Sequence, residues 1–204
     1  MRRNSTARYG GQAAFGRLLF VVGVGCVLLA VVLVCQRVVG YATRLARSQE
    51  VVERLEAVMP PAHTMGTAGP AAAEDLPMLW LDGVSYVGVL DVEGADARLP
   101  VCAAEQEAGA DLGPYVWSGT PKDCLVLADA GSDGPLAGLW GLAEGQRVTF
   151  ADVDGATLTY EVKAHVTQDA LDLDDRSLDG SRLILCSYNS LTRRYRLVCC
   201  VLAS

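Results

Sequence analysis

From Met78 to the C-terminus the apolar residues come in short runs, each closed by a turn signal: Asp82-Gly83, Glu93-Gly94, Gly131-Ser-Asp-Gly134, Asp154-Gly155 or Asp179-Gly180. That rhythm leaves little room for helices, which need longer stretches of 3.6-residue periodicity, and predicts strands. They are expected near Tyr86–Val92, Ala97–Val101, Cys124–Ala128, Gln146–Ala151, Thr157–Val166, Arg182–Cys186 and Arg194–Leu202. Asp154-Gly155, set between two alternating runs, is the strongest hairpin signal, because a tight two-residue turn needs positive φ and Gly supplies it without steric cost. One short helix, Pro135–Leu142, opens on a proline suited to a first helical turn. The fold class expected is mostly β: a small barrel with one or two short helices.

The N-terminal third is organised differently. Leu18 to Cys35 is unbroken apolar sequence, LLFVVGVGCVLLAVVLVC, flanked by Arg17 and by Gln36-Arg37; Val38 and Val39 lengthen it. It is expected to be a transmembrane helix over 18–39 rather than a cleaved signal, whose apolar core is usually about 7–15 residues. Arg2, Arg3, Arg8 and Arg17 precede it without an acid, so the positive-inside rule puts tail 1–17 in the cytoplasm and the C-terminal domain outside, in a single pass of the cell membrane. Residues 43–59 carry Leu45, Val51, Val52, Leu55 and Val58 at helical spacing and stop at Pro60-Pro61, which predicts a stalk helix. Residues 60–77 are rich in Pro, Ala and Gly, a linker composition. The barrel is then 78–204.

Charge excludes one class of partner. Residues 1–59 hold eight Arg against three Glu, and residues 60–204 hold nine Lys or Arg against 21 acids, a net of −12. Such a domain repels phosphates, and nucleic acid is set aside. No cofactor is expected. The two histidines, His63 and His165, lack ligand spacing to any Cys, so zinc is not expected either. Of seven cysteines, Cys26 and Cys35 fall in the apolar run; the other five, Cys102, Cys124, Cys186, Cys199 and Cys200, make an odd set that leaves at least one thiol free unless it pairs between chains.

One of those five stands out by position. Leu183-Ile-Leu-Cys186 ends an apolar strand, a polar turn follows at Asn189-Ser190, and a second strand returns from Arg194. Arg194 and Arg196 are two residues apart and so share a face of the returning strand, which makes them candidates to face Cys186. This arrangement resembles the sortases, the membrane-anchored cysteine transpeptidases of Gram-positive bacteria, whose signature is a strand ending in Thr-Cys, a short loop and an Arg opening the last strand. Further landmarks fall in the family's order: Asp82-Gly-Val-Ser-Tyr-Val-Gly-Val-Leu90, Leu99-Pro100-Val101, Tyr115-Val-Trp-Ser-Gly119, Leu125-Val-Leu-Ala128, and Leu136 through Gly145-Gln-Arg-Val148-Thr-Phe150.

The resemblance implies a sortase-like barrel in which Cys186 attacks a Thr-Gly-like bond of a cell-wall sorting signal on a surface protein and hands the acyl group to a cell-wall or pilin amine. It gives Arg194 or Arg196 the oxyanion-stabilising role, which suits the fixed fork of guanidinium donors. The departures are as specific. The family's catalytic His falls here on Asp129 or Ala130, and Leu185 stands where the family has Thr before its Cys. An anion beside a thiol disfavours the thiolate, so chemistry is expected to be impaired. Against the transpeptidase stands a second expectation, a catalytically inactive sortase-fold module that binds or regulates at the cell surface. His165 is expected on a polar strand face with Thr159, Glu161 and Lys163, as a surface histidine.

Overall fold

The computed structural model describes residues 20, 22–29, 31–32, 47–64, 76–94, 97–105, 108, 112–132 and 134–203. Two compact units emerge, Met1–Thr43 and Arg44–Ser204. In the first, residues 20, 22–29 and 31–32 are helical with exposed side chains. Among the described residues no helix is long and apolar enough to cross a membrane, and much of the 18–39 span, with all of tail 1–17, lies outside them.

The second unit opens with helix α1, residues 47–58. Ten strands follow among the described residues: β1 (His63–Thr64), β2 (Leu79–Leu81), β3 (Val84–Val92), β4 (Ala97–Cys102), β5 (Tyr115–Ser118), β6 (Leu125–Ser132), β7 (Arg147–Asp152), β8 (Ala156–Gln168), β9 (Leu183–Asn189) and β10 (Arg194–Leu202). They are ordered β1-β8-β10-β9-β6-β5-β4-β3-β2, and β7 closes the sheet by pairing with both β3 and β8. Closure removes sheet edges that would otherwise expose unpaired backbone. All seven expected strands are present. β1, β2 and β5 were not expected: they are short, and β1 falls in the Pro-rich segment, where its parallel pairing with β8 supplies the order that composition does not.

The three-residue turn 153–155, which contains Asp154-Gly155, joins antiparallel β7 and β8, with Gly155 at φ 83° and Asp152 Oδ1 accepting from the N–H of Asp154 (3.0 Å) and Ala156 (2.8 Å). The segment expected as a helix from Pro135 is a 3₁₀ helix, Pro135–Gly141, that buries Leu136 and Leu139. These two side chains join Leu90, Leu125, Leu127, Phe150, Tyr160 and others in the barrel interior.

Helix α1 does not stand free of the barrel as a stalk would. Val52 and Leu55, which the helical spacing puts on one face, are 3% and 0% exposed and pack in one cluster with Tyr86, Val89, Cys102 and Tyr115. Arg54 bridges to Asp82 at 2.8 Å, and Arg98 pairs with Glu56. A stripe of large apolar residues on an amphipathic helix is buried at about 25 cal/mol per Å², far more than exposed ion pairs contribute, so the packing and not the charges holds α1 down.

Candidate active site

Strand register decides what surrounds Cys186. In the antiparallel pair β9/β10, Cys186 lies opposite Leu197, Ser187 opposite Arg196, and Asn189 opposite Arg194. Directly opposed residues point to the same face and neighbours alternate. Cys186 therefore shares a face with Leu197 and Tyr195, while Arg194 and Arg196 project from the other side of the sheet. The register separates the three residues that the sequence pattern grouped. Arg194 is exposed and binds Asp169 through Nε at 2.7 Å; Arg196 is half-buried, its Cζ 5.3 Å from the centroid of the Trp140 ring.

On its own face Cys186 has apolar and aromatic company. The parallel pair β6/β9 sets Ala128 opposite Cys186, and both belong to the cluster that holds Tyr115, Val52 and Leu55, with Ala130, Leu171 and Tyr195 packed against it. Leu171 and Tyr195 also pack against the neighbouring cluster of Val126, Leu178, Ile184, Leu197 and Cys199. Tyr188 and Tyr195, opposed across the hairpin, bring their rings to 5.1 Å. Cys186 is 3% exposed. Burial pushes its thiol up to about 12, and the charge of Asp129 adds to that. Tyr115 is raised to about 12 as well, first by burial and then by surrounding negative groups, among them Glu105, Cys186 and Asp129.

The two candidates for the family's His position are told apart by what they touch. Ala130 packs with the cluster of Cys186. Asp129 instead accepts the N–H of Leu136 at 3.0 Å through Oδ1, satisfying a first-turn donor of the 3₁₀ helix whose own N-cap, Gly134, offers no side chain. Gly134 is required for this: a Cβ there would lie 2.4 Å from the Asp129 carboxyl carbon. Of the two, Ala130 thus joins the apolar surroundings of Cys186, whereas the Asp129 carboxylate caps the 3₁₀ helix and acts on the thiol through its charge.

His165 departs from expectation. Cys199 pairs with Ala164 but Cys200 with Val162, which leaves Lys163 as an extra residue in β8. Such a bulge reverses the alternation beyond it. His165 is thereby turned away from Thr159 and Glu161, opposite Val198, with its ring edge-on to Trp140 at 5.0 Å and 79°. No sequence signal marks the bulge. Among the described residues no group of three or more His, Cys, Asp or Glu converges as metal ligands would, and the six cysteines described, Cys26, Cys102, Cys124, Cys186, Cys199 and Cys200, are all free.

Among the solved structures that resemble this chain are several sortases. Sortase A of Corynebacterium diphtheriae is 17% identical, with 80% of this chain and 92% of that one aligned at a TM-score of 0.48. The sortase D5 transpeptidase of Clostridium perfringens is 9% identical over 58% of this chain and 79% of that one, with a TM-score of 0.47. A sortase E variant of Streptomyces avermitilis is 16% identical over 58% and 88%, also with a TM-score of 0.47. No protein-family model matches the sequence, and no curated protein matches it.

Proposed function

We propose that this chain is a sortase-fold module that acts by binding rather than by cysteine transpeptidation, held by an anchor over 18–39 with its barrel on the outer face of the cell membrane. What supports the reading is the company of Cys186: Ala130 and Tyr195 on its face, both arginines on the opposite one. A thiol pushed to about 12 is ionised in roughly one molecule in 10⁵ at pH 7, against a few per cent for an ordinary cysteine. Nucleophilic catalysis requires a partner that removes that deficit, and the charge that acts on Cys186, that of Asp129, is an anion that deepens it. The sequence resemblance makes sorting-signal peptides of surface proteins the ligand class to try first.

The test is incubation of the full chain with a peptide containing the Thr-Gly bond of a cell-wall sorting signal and a primary amine, followed by mass spectrometry. The expected result is neither a thioacyl adduct on Cys186 nor an amine-ligated product, with any peptide binding unchanged in Cys186→Ala. An adduct at Cys186, or product lost in Cys186→Ala, overturns the reading and restores the transpeptidase, with a surface protein as donor and a wall or pilin amine as acceptor. Anchorage and orientation are checked by protease protection of intact cells, which should leave 78–204 cleavable and 1–17 protected.

A further inference from the structure

The sheet face opposite Cys186 carries a second constellation. Arg196 is centred in a row across three strands, with Ser187 opposite it on β9 and Thr167 opposite it on β8. Its guanidinium lies over Trp140, and Trp140 in turn meets His165 edge-on. The Nε2 atom of His165 is buried and has no hydrogen-bond partner. Ser187 is 4% exposed.

Arg196 is among the cations of this acidic domain that no described carboxylate pairs. Residues 60–204 contain 21 acids and nine Lys or Arg, so a cation there has carboxylates in excess. Arg98 is paired with Glu56 and Asp91, and Arg194 with Asp169. Arg196, half-buried, takes part in no ion pair with any described residue. Stacking on an indole covers one face of the guanidinium and leaves its N–H edges available in the plane. Those edges match a carboxylate, which accepts two parallel N–H bonds in one plane. The Ser187 hydroxyl, directly opposite across the strands, is a second polar group beside it, and His165, edge-on to Trp140, fixes the ring on which the guanidinium stacks.

We infer that Arg196, Trp140, His165 and Ser187 form a binding site for a single carboxylate of a peptide ligand, distinct from the Cys186 face. A single cation inside a domain of net charge −12 suits a compact monoanion and disfavours phosphate-rich polymers, which the field repels. The carboxylate belongs to a peptide C-terminus or to an Asp or Glu side chain, two sources of one chemistry. The site does not rest on the function proposed above.

The experiment uses the full chain with Trp80→Phe and Trp117→Phe, so that Trp140 is the sole tryptophan. Its fluorescence is titrated with a short acetylated peptide bearing a free C-terminus, with the same peptide amidated, and with an amidated peptide carrying one internal Glu. A saturable change with the first or third peptide, but not the second, is expected, and which of them gives it identifies the source. Affinity should fall at least tenfold in Arg196→Gln and remain within twofold in Arg194→Gln and Cys186→Ala. The Trp140 indole N–H resonance in the otherwise unaltered chain gives the same readout if the tryptophan variants fold poorly, and circular dichroism shows whether Arg196→Gln is folded. Absence of any saturable change, an equal response to the amidated peptide, or undiminished binding in folded Arg196→Gln overturns the inference.

Discussion

At the scale of single residues, Asp129 and Cys186 show how position converts a side chain's chemistry. Asp129 is one of the two positions where the resemblance implies a catalytic His, and it caps the 3₁₀ helix. Asp129→Ala should lower stability by about 1–2 kcal/mol, the usual cost of losing a cap, whereas Asp129→Asn keeps the acceptor and loses less, as read by urea unfolding. Gly134→Ala should be worse than its ordinary φ of −72° suggests, because the new methyl meets the Asp129 carboxyl. The thiol offers a complementary check. Alkylation of Cys186, with the other cysteines replaced, should stay slow up to pH 9 and be unaffected by Arg194→Gln or Arg196→Gln, since neither guanidinium shares its face. Introducing the missing groups on the correct face, Ala130→His with Tyr195→Arg, should lower the apparent pKa of Cys186 and speed alkylation at pH 7. A rate identical to the parent's would show that these positions do not address the thiol.

At the scale of elements, helix α1 is the clearest case of a segment whose sequence gives its conformation and not its place. Its apolar spacing was legible; that the apolar stripe would be covered by the barrel depended on Tyr86, Val89 and Cys102 being brought together by β3 and β4. Leu55→Ala should cost about 2–5 kcal/mol, the range for a fully buried leucine, while Glu56→Gln, which breaks an exposed ion pair, should cost less than about 1 kcal/mol. Comparable losses from the two substitutions would mean that α1 is held by charge.

For the whole molecule, the buried thiols and phenols set an alkaline limit. The thiols of Cys186 and Cys200 are raised to about 12, and the phenol of Tyr115 to about 12, in each case chiefly by burial. Groups whose folded pKa lies above the unfolded one contribute stability that is complete below the unfolded value and lost as pH rises toward the folded value. The window therefore runs from about pH 8.5, where an unfolded thiol is half-ionised, to about pH 12. Melting temperature should be flat from pH 7 to 8.5 and fall steeply above pH 9.5. Replacing Cys200 by Val should flatten that fall, and a fall that is unchanged in this variant would assign the alkaline limit elsewhere.

What the sequence by itself determined was local. Alternation of apolar residues placed the seven longer strands, Asp154-Gly155 placed the hairpin, Pro135 opened the short helix, and the order of landmarks pointed to a sortase-like barrel. What the tertiary structure alone decided was which side chains meet. Arg196 and Cys186 are separated because Cys186 is registered opposite Leu197, His165 is turned by one extra residue at Lys163, and Ala130 joins the apolar cluster of the thiol while Asp129 caps the 3₁₀ helix. Facing along a strand has a period of two, so a shift of one residue in pairing, or one bulge, exchanges every contact of a site while leaving the sequence pattern unchanged.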